Sequence, residues 1–474
     1  MKHPTFRGLL RLAAFLLGLA LIVAFTNTFC IKTDIYAALT MAEVKTRSDI
    51  EVAFVGSSIV RDHFNAEMIS KEIGKTCFAL GIPCGMLQGN IASTRELYRK
   101  NSPEWTILVI EPFTVDSARE GIEGQYDLLP FLSSPFEQLR YYYSVAREDG
   151  WYVDRAFMFR DYAVDSFGEF METVGMHLRP FQTYEKIRPT LDPRMTYMGS
   201  GYSRCDTDER ATEMVRQQII REYTGYVYDL LPQTREMLLE YRDLVAQKGS
   251  KLLVFIYPNM TAHNLAIPGF LDYADALTRF CGENDMPCVN FSYAKPELYS
   301  RETDQYYFDL YHMVGEGADI FSASFCKFFK AYLAGEDTSD WFYADRWAYF
   351  SSVSFITNCW IQTYFPEGEW NGAGEQSRQA VAAASENGAR DVYAANCNHG
   401  PSVAPEYRFF LRDEATGAET PLTDWQAEGI LACDKGALTG QCIRVYARAQ
   451  GGADDPSLYF DFRPGIDEEP CLQV

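Results

Sequence analysis

The first long apolar segment of the chain has the length of a membrane span. Residues 12–31 form a stretch of 20 residues without a charged side chain, and about 20 apolar residues cross the hydrocarbon core of a bilayer. Basic residues at positions 2, 7 and 11 precede it, which predicts a cytoplasmic N-terminus and a single-pass cell-membrane protein whose bulk is extracytoplasmic. A cleaved signal peptide is the nearer alternative, and a buried helix is the more distant one. No small-x-small cleavage pattern follows, so we predict an uncleaved signal anchor at residues 1–32.

Short apolar runs alternate with helical patterns over residues 50–336, after a mostly polar, helical connector at residues 33–49. Such alternation is typical of buried parallel strands linked by helices. It predicts the α/β class, with a parallel sheet flanked by helices. The predicted strands are at 51–55, 76–80, 105–110, 251–256 and 287–291.

The strand pattern stops between about residue 116 and residue 231. This region is rich in Tyr and Phe, has helical patches at 136–147 and 211–222, and contains a glycine-rich turn at 198–202. We predict a long helical insertion that covers the sheet.

The pattern changes again in residues 337–474. Short alternating runs at 407–411, 442–446 and 458–462 are separated by glycine-containing turns. This spacing predicts a C-terminal all-β sandwich. The expected organisation is therefore an anchor, one interrupted α/β domain and one β domain.

Charge narrows the class of partner. The chain of 474 residues carries 43 basic and 65 acidic side chains, for a formal net charge of −22. No basic cluster offsets this charge, and phosphate binding needs a positively charged face. We therefore predict that nucleic acid is not a partner.

Neither the cysteines nor the histidines form a pattern typical of a metal site. The 12 cysteines include no Cys-x-x-Cys pair, and the six histidines are widely dispersed. We predict no metal and no cofactor. In an oxidising compartment the cysteines are compatible both with disulfides and with buried free thiols, so we predict no specific pairing.

Two places along the chain carry residues suited to nucleophilic catalysis. Ser57 and Ser58 follow the first predicted strand, and the carboxyl end of a parallel strand borders the crevice where α/β sheets bind ligands. Asp309 and His312 follow the last predicted strand, where an imidazole can act as a base and a carboxylate can hold its tautomer. Taken alone, the serine is more commonly an N-cap and the pair a surface Asp and a structural His.

The serines after the first predicted strand and the Asp-x-x-His motif after the last one, in this order, resemble the motifs of the SGNH/GDSL hydrolase family. The resemblance implies that Ser58 is the nucleophile, His312 the general base and Asp309 the residue that orients the base. Ser57 stands where the commoner motif has Asp. The resemblance covers roughly residues 50–336, interrupted by the insertion.

The same resemblance implies an oxyanion hole and shows one departure. Residues 78–85 resemble the family's second block, so backbone N–H groups of Ser58 and Gly85 are the expected donors, with Gly81 as the alternative. The Asn that the third block supplies is not visible at residues 110–113. Loss of one oxyanion donor costs about 10²–10³ in turnover, which implies weakened activity. Asn259 is a candidate replacement, although a turn residue is its commoner role.

The signal anchor, Ser57 in place of Asp and residues 306–313 are similar to membrane-tethered SGNH-like proteins of bacterial envelopes. These include teichoic-acid D-alanylation and alginate O-acetylation proteins. The similarity implies a serine acyltransferase or esterase acting on a cell-surface polysaccharide or teichoic-acid-like polymer, beside a membrane-bound O-acyltransferase partner. Ser57 and Arg61 are candidate substrate contacts, with solvated helix residues as the alternative for Arg61 and its neighbour Asp62.

The C-terminal part resembles a small three-tyrosine β-sandwich domain. The matching segments are 404–409, 422–425 and 440–446, and they imply an extracytoplasmic spacer or interaction module. The alternative for the whole protein is a catalytically silent scaffold that binds a surface polymer or the acyltransferase partner.

Overall fold

The structure is a computed structural model, and it describes most of the chain in segments. The described residues are 6–32, 34–83, 86–111, 126–148, 163–209, 229–266, 270–300, 305–309, 311–362, 381, 383–384, 389–454 and 458–467.

Helices and strands alternate in the first two thirds of these residues, and strands dominate the rest. The α-helices are α1 (Phe6–Phe29), α2 (Ile35–Thr46), α3 (Ser58–His63), α4 (Ala66–Ile73), α5 (Leu87–Leu97), α6 (Pro135–Glu148), α7 (Phe167–Leu178), α8 (Pro180–Ile187), α9 (Pro232–Gln247), α10 (Thr261–Ala266), α11 (Phe270–Glu283), α12 (Gly315–Ala334) and α13 (Arg346–Ser352). The β-strands are β1 (Val52–Gly56), β2 (Cys77–Gly81), β3 (Trp105–Ile110), β4 (Met195–Gly199), β5 (Tyr202–Cys205), β6 (Lys251–Ile256), β7 (Cys288–Asn290), β8 (Ile356–Gln362), β9 (Arg390–His399), β10 (Pro405–Arg412), β11 (Glu419–Pro421), β12 (Ile430–Asp434), β13 (Cys442–Ala449) and β14 (Tyr459–Phe462).

A five-stranded sheet with the order β2-β1-β3-β6-β7 lies at the centre of the α/β part. Every neighbouring pair is parallel. Ala53 and Val55 of β1 face one hydrophobic core, while Val52 and Phe54 face a second core on the other side. Helices cover both faces, which explains why the strands are continuously apolar. The predicted α/β class, with all five predicted strands, is confirmed.

The N-terminal helix α1 has the length and composition of a membrane span. Its window Arg7–Phe29 has a mean hydropathy of 2.4 and is 0% buried within the protein. A stretch of this kind is stable only when something apolar covers it. The predicted N-terminal apolar helix is confirmed as a helix of spanning length.

Helix α2 belongs to the core and is not the polar connector that the sequence suggested. Leu39 and Met41 are 0% exposed and pack in the same core as β1. Asp34 caps the helix by accepting the backbone N–H of Ala37 at 2.5 Å. The buried residues of α2 are Ala37, Ala38, Leu39, Thr40, Met41 and Val44, so this segment has a buried face and is not a linker.

The insertion contains strands that its sequence pattern did not predict. Strands β4 and β5 form an antiparallel hairpin with an irregular register near Tyr197. The hairpin tip docks on β2, where the N–H of Ala79 donates to the carbonyl of Ser200 at 2.8 Å. Gly201 permits this approach, since its φ is +75° and a Cβ would lie 1.9 Å from the carbonyl oxygen of Ala79. The predicted patch at 136–147 is α6, and the patch at 211–222 lies outside the described residues.

The C-terminal part is an antiparallel β-sandwich, as predicted. One sheet has the order β11-β10-β13-β14 and the other β12-β9-β8. Trp360 and Tyr393 of the second sheet share one core with Phe409 and Phe460 of the first. The α/β part extends past residue 336, because Tyr349 of α13 packs in the sheet's core. No disulfide joins the ten cysteines of the described segments.

Candidate active site

Ser58 is the first residue of α3, and one residue separates it from the end of strand β1. Ser57 is the N-cap, and its Oγ accepts the N–H of Ile59 at 3.4 Å. The turn requires glycine at position 56, because a Cβ there would lie 2.9 Å from the carbonyl oxygen of Val109 on β3. The sequence therefore places the Ser58 hydroxyl at the carboxyl edge of the sheet, where α/β folds bind ligands.

Asp309 organises the segment that carries His312. Its Oδ1 accepts the backbone N–H groups of Tyr311 at 2.7 Å and of His312 at 2.6 Å. The same carboxylate contacts Nδ1 of the His312 ring, at 2.9 Å for Oδ2 and 3.1 Å for Oδ1. A carboxylate only accepts hydrogen bonds, so it favours the tautomer with the proton on Nδ1. Nε2 then presents a lone pair.

The fold brings Ser58 and His312 together although 254 positions separate them in sequence. Ser58 Oγ lies 2.9 Å from His312 Nε2. Ser58, His312 and Asp309 thus form one hydrogen-bonded line, the arrangement that activates a serine hydroxyl in known triads.

The charges around His312 suit a base that becomes an imidazolium. Burial lowers its pKa, but the hydrogen bond and charge of Asp309, aided by Asp62, outweigh burial and raise the pKa above the usual value. Burial raises the pKa of Asp309, whereas the His312 ring and the backbone N–H groups lower it, and the net shift is downward. Asp309 therefore stays ionised while His312 takes up a proton.

A second histidine supports the first, and no sequence pattern pointed to it. His63 of α3 is 0% exposed, and its Nε2 accepts the N–H of Met313, the residue after His312, at 2.8 Å. Burial, with the nearby His312 charge, lowers the pKa of His63 to about 3. His63 is therefore a neutral acceptor that ties α3 to the Asp309–His312 segment.

Arg61 and Asp62 are buried beside the site. Arg61 donates to both oxygens of Asp62, at 2.6 Å from Nε and 2.9 Å from Nη2. Asp62 Oδ2 also lies 3.9 Å from His312 Nε2. The alternative of solvated helix residues is wrong, because the two are 9% and 4% exposed. Contact of Arg61 or Ser57 with substrate stays a prediction.

The expected oxyanion donors are described only in part. The N–H of Ser58 begins α3, where the first N–H groups of a helix lack helical partners. Gly85 lies outside the described residues. Packing requires glycine at position 81, because a Cβ there would lie 2.3 Å from the backbone nitrogen of Arg61. This glycine lets α3 rest against the end of β2.

Glu111 occupies the position after β3 where the resemblance calls for Asn. It is 5% exposed, and its Oε1 accepts from Asn259 Nδ2 at 3.3 Å. Burial raises the pKa of Glu111 to about 7. The charge of Asp309 also raises this pKa, whereas the charge of His312 and the hydrogen bond from Asn259 lower it. The candidate replacement Asn259 therefore lies beside the third-block position.

No metal centre accompanies these residues in the described part of the chain, which holds no group of three or more His, Cys, Asp or Glu side chains able to bind an ion.

Comparison with known proteins adds little. No model of a known protein family matches the chain, and no curated protein matches its sequence. Among solved structures, the chain is similar to a two-domain esterase active on acetylated mannans and co-crystallised with mannopentaose. The identity is 9%, the match covers 94% of this chain and 99% of the esterase, and the TM-score is 0.29. A likeness this weak carries no conclusion about activity.

Proposed function

We propose that this protein is an SGNH-type serine esterase or O-acyltransferase. The observation that carries the proposal is the line from Ser58 through His312 to Asp309, with 2.9 Å between Oγ and Nε2 and 2.9 Å between Nδ1 and Oδ2. A structural serine at a helix start does not need a neighbouring histidine whose other nitrogen is held by a carboxylate. A nucleophile needs both.

The proposed reaction has two stages. His312 Nε2 takes the proton of Ser58 Oγ as that oxygen attacks the ester carbonyl, and the alkoxide leaving group departs with the proton from His312. The acyl group is then bound to Ser58. Water, or a sugar hydroxyl in the transferase case, loses its proton to His312, attacks the acyl carbon and releases Ser58 with its proton restored. Asp309 stabilises the imidazolium in both stages.

The oxyanion of each tetrahedral intermediate needs donors at the end of β1. The N–H groups of Ser58 and Gly85 are the proposed donors, and such groups are effective because their positions are set before reaction. Glu111 and Asn259 lie on the side of the site where a third donor would stand. A hole with two donors supports slower chemistry than one with three.

The proposed setting is the outer face of a cell membrane, with α1 as the anchor. The proposed substrate is an acylated cell-surface polysaccharide or teichoic-acid-like polymer, and the proposed partner is a membrane-bound O-acyltransferase. The spanning length of α1 and the C-terminal sandwich support an envelope protein with a spacer or interaction module.

The second candidate is a silent scaffold that binds the polymer or the partner. The observation in its favour is Glu111 at the third-block position, where the resemblance calls for an oxyanion-donating Asn. In its ionised form, Glu111, whose pKa burial raises to about 7, would repel the oxyanion of the intermediate.

Hydrolysis of p-nitrophenyl acetate by the full chain in detergent separates the two candidates. We expect Ser58→Ala to lower kcat/KM by about 10³-fold or more, since the nucleophile of such a triad cannot be replaced. Ser324→Ala is the matched control, because the Ser324 hydroxyl only bonds the carbonyl of Ile320 in its own helix. Equal rates for both variants would favour the scaffold.

A further inference from the structure

Helix α7 of the insertion presents apolar side chains on two faces. Phe167, Met171 and Leu178 are 77%, 50% and 68% exposed. Their spacing of four and seven residues places them in one stripe along the helix, with Val174 between them. Soluble proteins rarely leave such a continuous apolar stripe in water, so it marks a contact with something apolar.

The same helix crosses the end of α1. Just before α7, Ala163 pairs with Ile31, and the N–H of Val164 donates to the carbonyl of Cys30 at 3.0 Å. Near the other end of α7, the ring of His177 lies 5.4 Å from that of Phe29. Both ends of α7 are therefore fixed to the residues where α1 ends, and α7 runs across that end.

The apolar stripe lies on the side of α7 that faces away from the sheet. Met176 of α7 is buried in the core that packs against the parallel sheet. Nine residues separate it from Phe167, so the two point to opposite sides of the helix. The stripe therefore lies on the uncovered side of α7. Helix α1, which the rest of the chain does not bury either, ends against the same helix through Thr173 and His177.

We propose that α7 lies in the interface of the lipid bilayer, with Phe167, Met171, Val174 and Leu178 in contact with acyl chains. The proposal rests on the membrane anchoring by α1 that belongs to the proposed function. The occupant is lipid because α1 ends at α7, which puts α7 at the depth where the hydrocarbon meets the headgroups. The net charge of −22 disfavours a hold on anionic headgroups, so apolar contact carries the binding.

Such a contact orients the whole α/β part. Through Met176 and Thr173, α7 is buried against the core of the sheet. An α7 that lies flat on the membrane therefore fixes the tilt of the sheet that carries Ser58. A single spanning helix can itself tilt within the bilayer, so α1 alone does not fix the tilt of the sheet.

The test is quenching of an added tryptophan by brominated lipid. The full chain with Phe167→Trp is reconstituted into phosphatidylcholine vesicles with and without bromine on the acyl chains, and the wild type with its seven tryptophans gives the background. Ile466→Trp is the matched control, at a site 63% exposed in the C-terminal sandwich. We expect quenching above background for Phe167→Trp and none for Ile466→Trp.

Equal quenching of the two variants would overturn the proposal, and it is also the result expected if a protein covers the stripe instead of lipid. Failure of the chain to associate with vesicles would overturn it as well. Hydrolysis of p-nitrophenyl acetate by the same samples separates this failure from that of the proposed function. We expect equal hydrolysis in both variants, and normal quenching without any hydrolysis would contradict only the catalytic proposal.

Discussion

Asp309 holds both the backbone and the ring of His312. One carboxylate accepts two backbone N–H groups and contacts Nδ1, so a single side chain sets the position, the tautomer and the charge of the base. His63 adds a second restraint from α3 by accepting the N–H of Met313. The geometry of the base is therefore fixed from both sides of the site.

Asp309→Asn tests this dependence. Asn keeps an oxygen for the backbone N–H groups, but its loss of charge and its amide donor disfavour the proton on Nδ1. We expect kcat to fall by about 10²–10⁴-fold, as for other triads with the wrong tautomer.

The pH dependence gives a second readout of the same variant. His312 must be unprotonated to act as base, so activity rises with pH through its raised pKa. Asp309 contributes to that rise in pKa, and its neutralisation should move the inflection of kcat/KM to lower pH. An unchanged inflection, measured by a pH series with p-nitrophenyl acetate, would contradict the assigned role of Asp309.

At the scale of elements, the site depends on how closely α3 lies against the sheet. Helix α3 carries Ser58, Arg61, Asp62 and His63, and it rests on the end of β2 at Gly81. Any shift of α3 displaces the nucleophile from the base on a different segment. The position of Ser58 is thus a property of the packing between α3 and β2.

Gly81→Ala should push α3 away from β2. The new Cβ would lie 2.3–2.8 Å from backbone and Cβ atoms of Arg61, none of which is the end of a flexible side chain. We expect a loss of about 1–3 kcal/mol in unfolding free energy and a lower kcat. Gly282→Ala in α11 is the control, because nothing lies within 4 Å of its new Cβ. Thermal unfolding and p-nitrophenyl acetate turnover measure both effects, and equal behaviour of the two variants would contradict this account of α3.

The strands of the central sheet were predictable because most are short, mainly apolar runs that the helices on both faces bury. The hairpin of β4 and β5 was not, since most side chains of β4 are only half-buried and its register is irregular. The two motifs of the site, Ser58 after β1 and Asp309 with His312, could be predicted because each is recognised by residues close together in the sequence. His63 contacts Met313, 250 positions away, and Glu111 contacts Asn259, 148 positions away. No local sequence pattern encodes contacts over such separations.

At the scale of the whole molecule, the chain between α1 and the sheet is part of the folded body. Helix α2 follows α1 closely and buries Leu39 and Met41 in the core on one side of the sheet. Helix α1 is therefore coupled to the α/β part through a packed helix. The C-terminal sandwich has its own core, formed by both of its sheets.

Leu39→Ala measures how much α2 contributes. Leu39 is 0% exposed, and the loss of a buried leucine side chain costs about 2–5 kcal/mol. The control is Leu139→Ala, because Leu139 is 66% exposed and surface substitutions stay within about 0.5 kcal/mol. Denaturant unfolding of the full chain in detergent compares them. A change in Leu39→Ala as small as in the control would mean that α2 is a linker after all.

The most direct test of the central claim is covalent labelling of Ser58 by a fluorophosphonate. In the proposed site, Ser58 Oγ attacks the phosphorus, fluoride leaves and His312 takes the proton. We predict that mass spectrometry of the labelled full-length protein finds the adduct on the peptide with Ser58, in the wild type and in Ser324→Ala but not in Ser58→Ala. A folded wild-type protein that acquires no adduct at Ser58 would contradict the claim that this serine is a catalytic nucleophile.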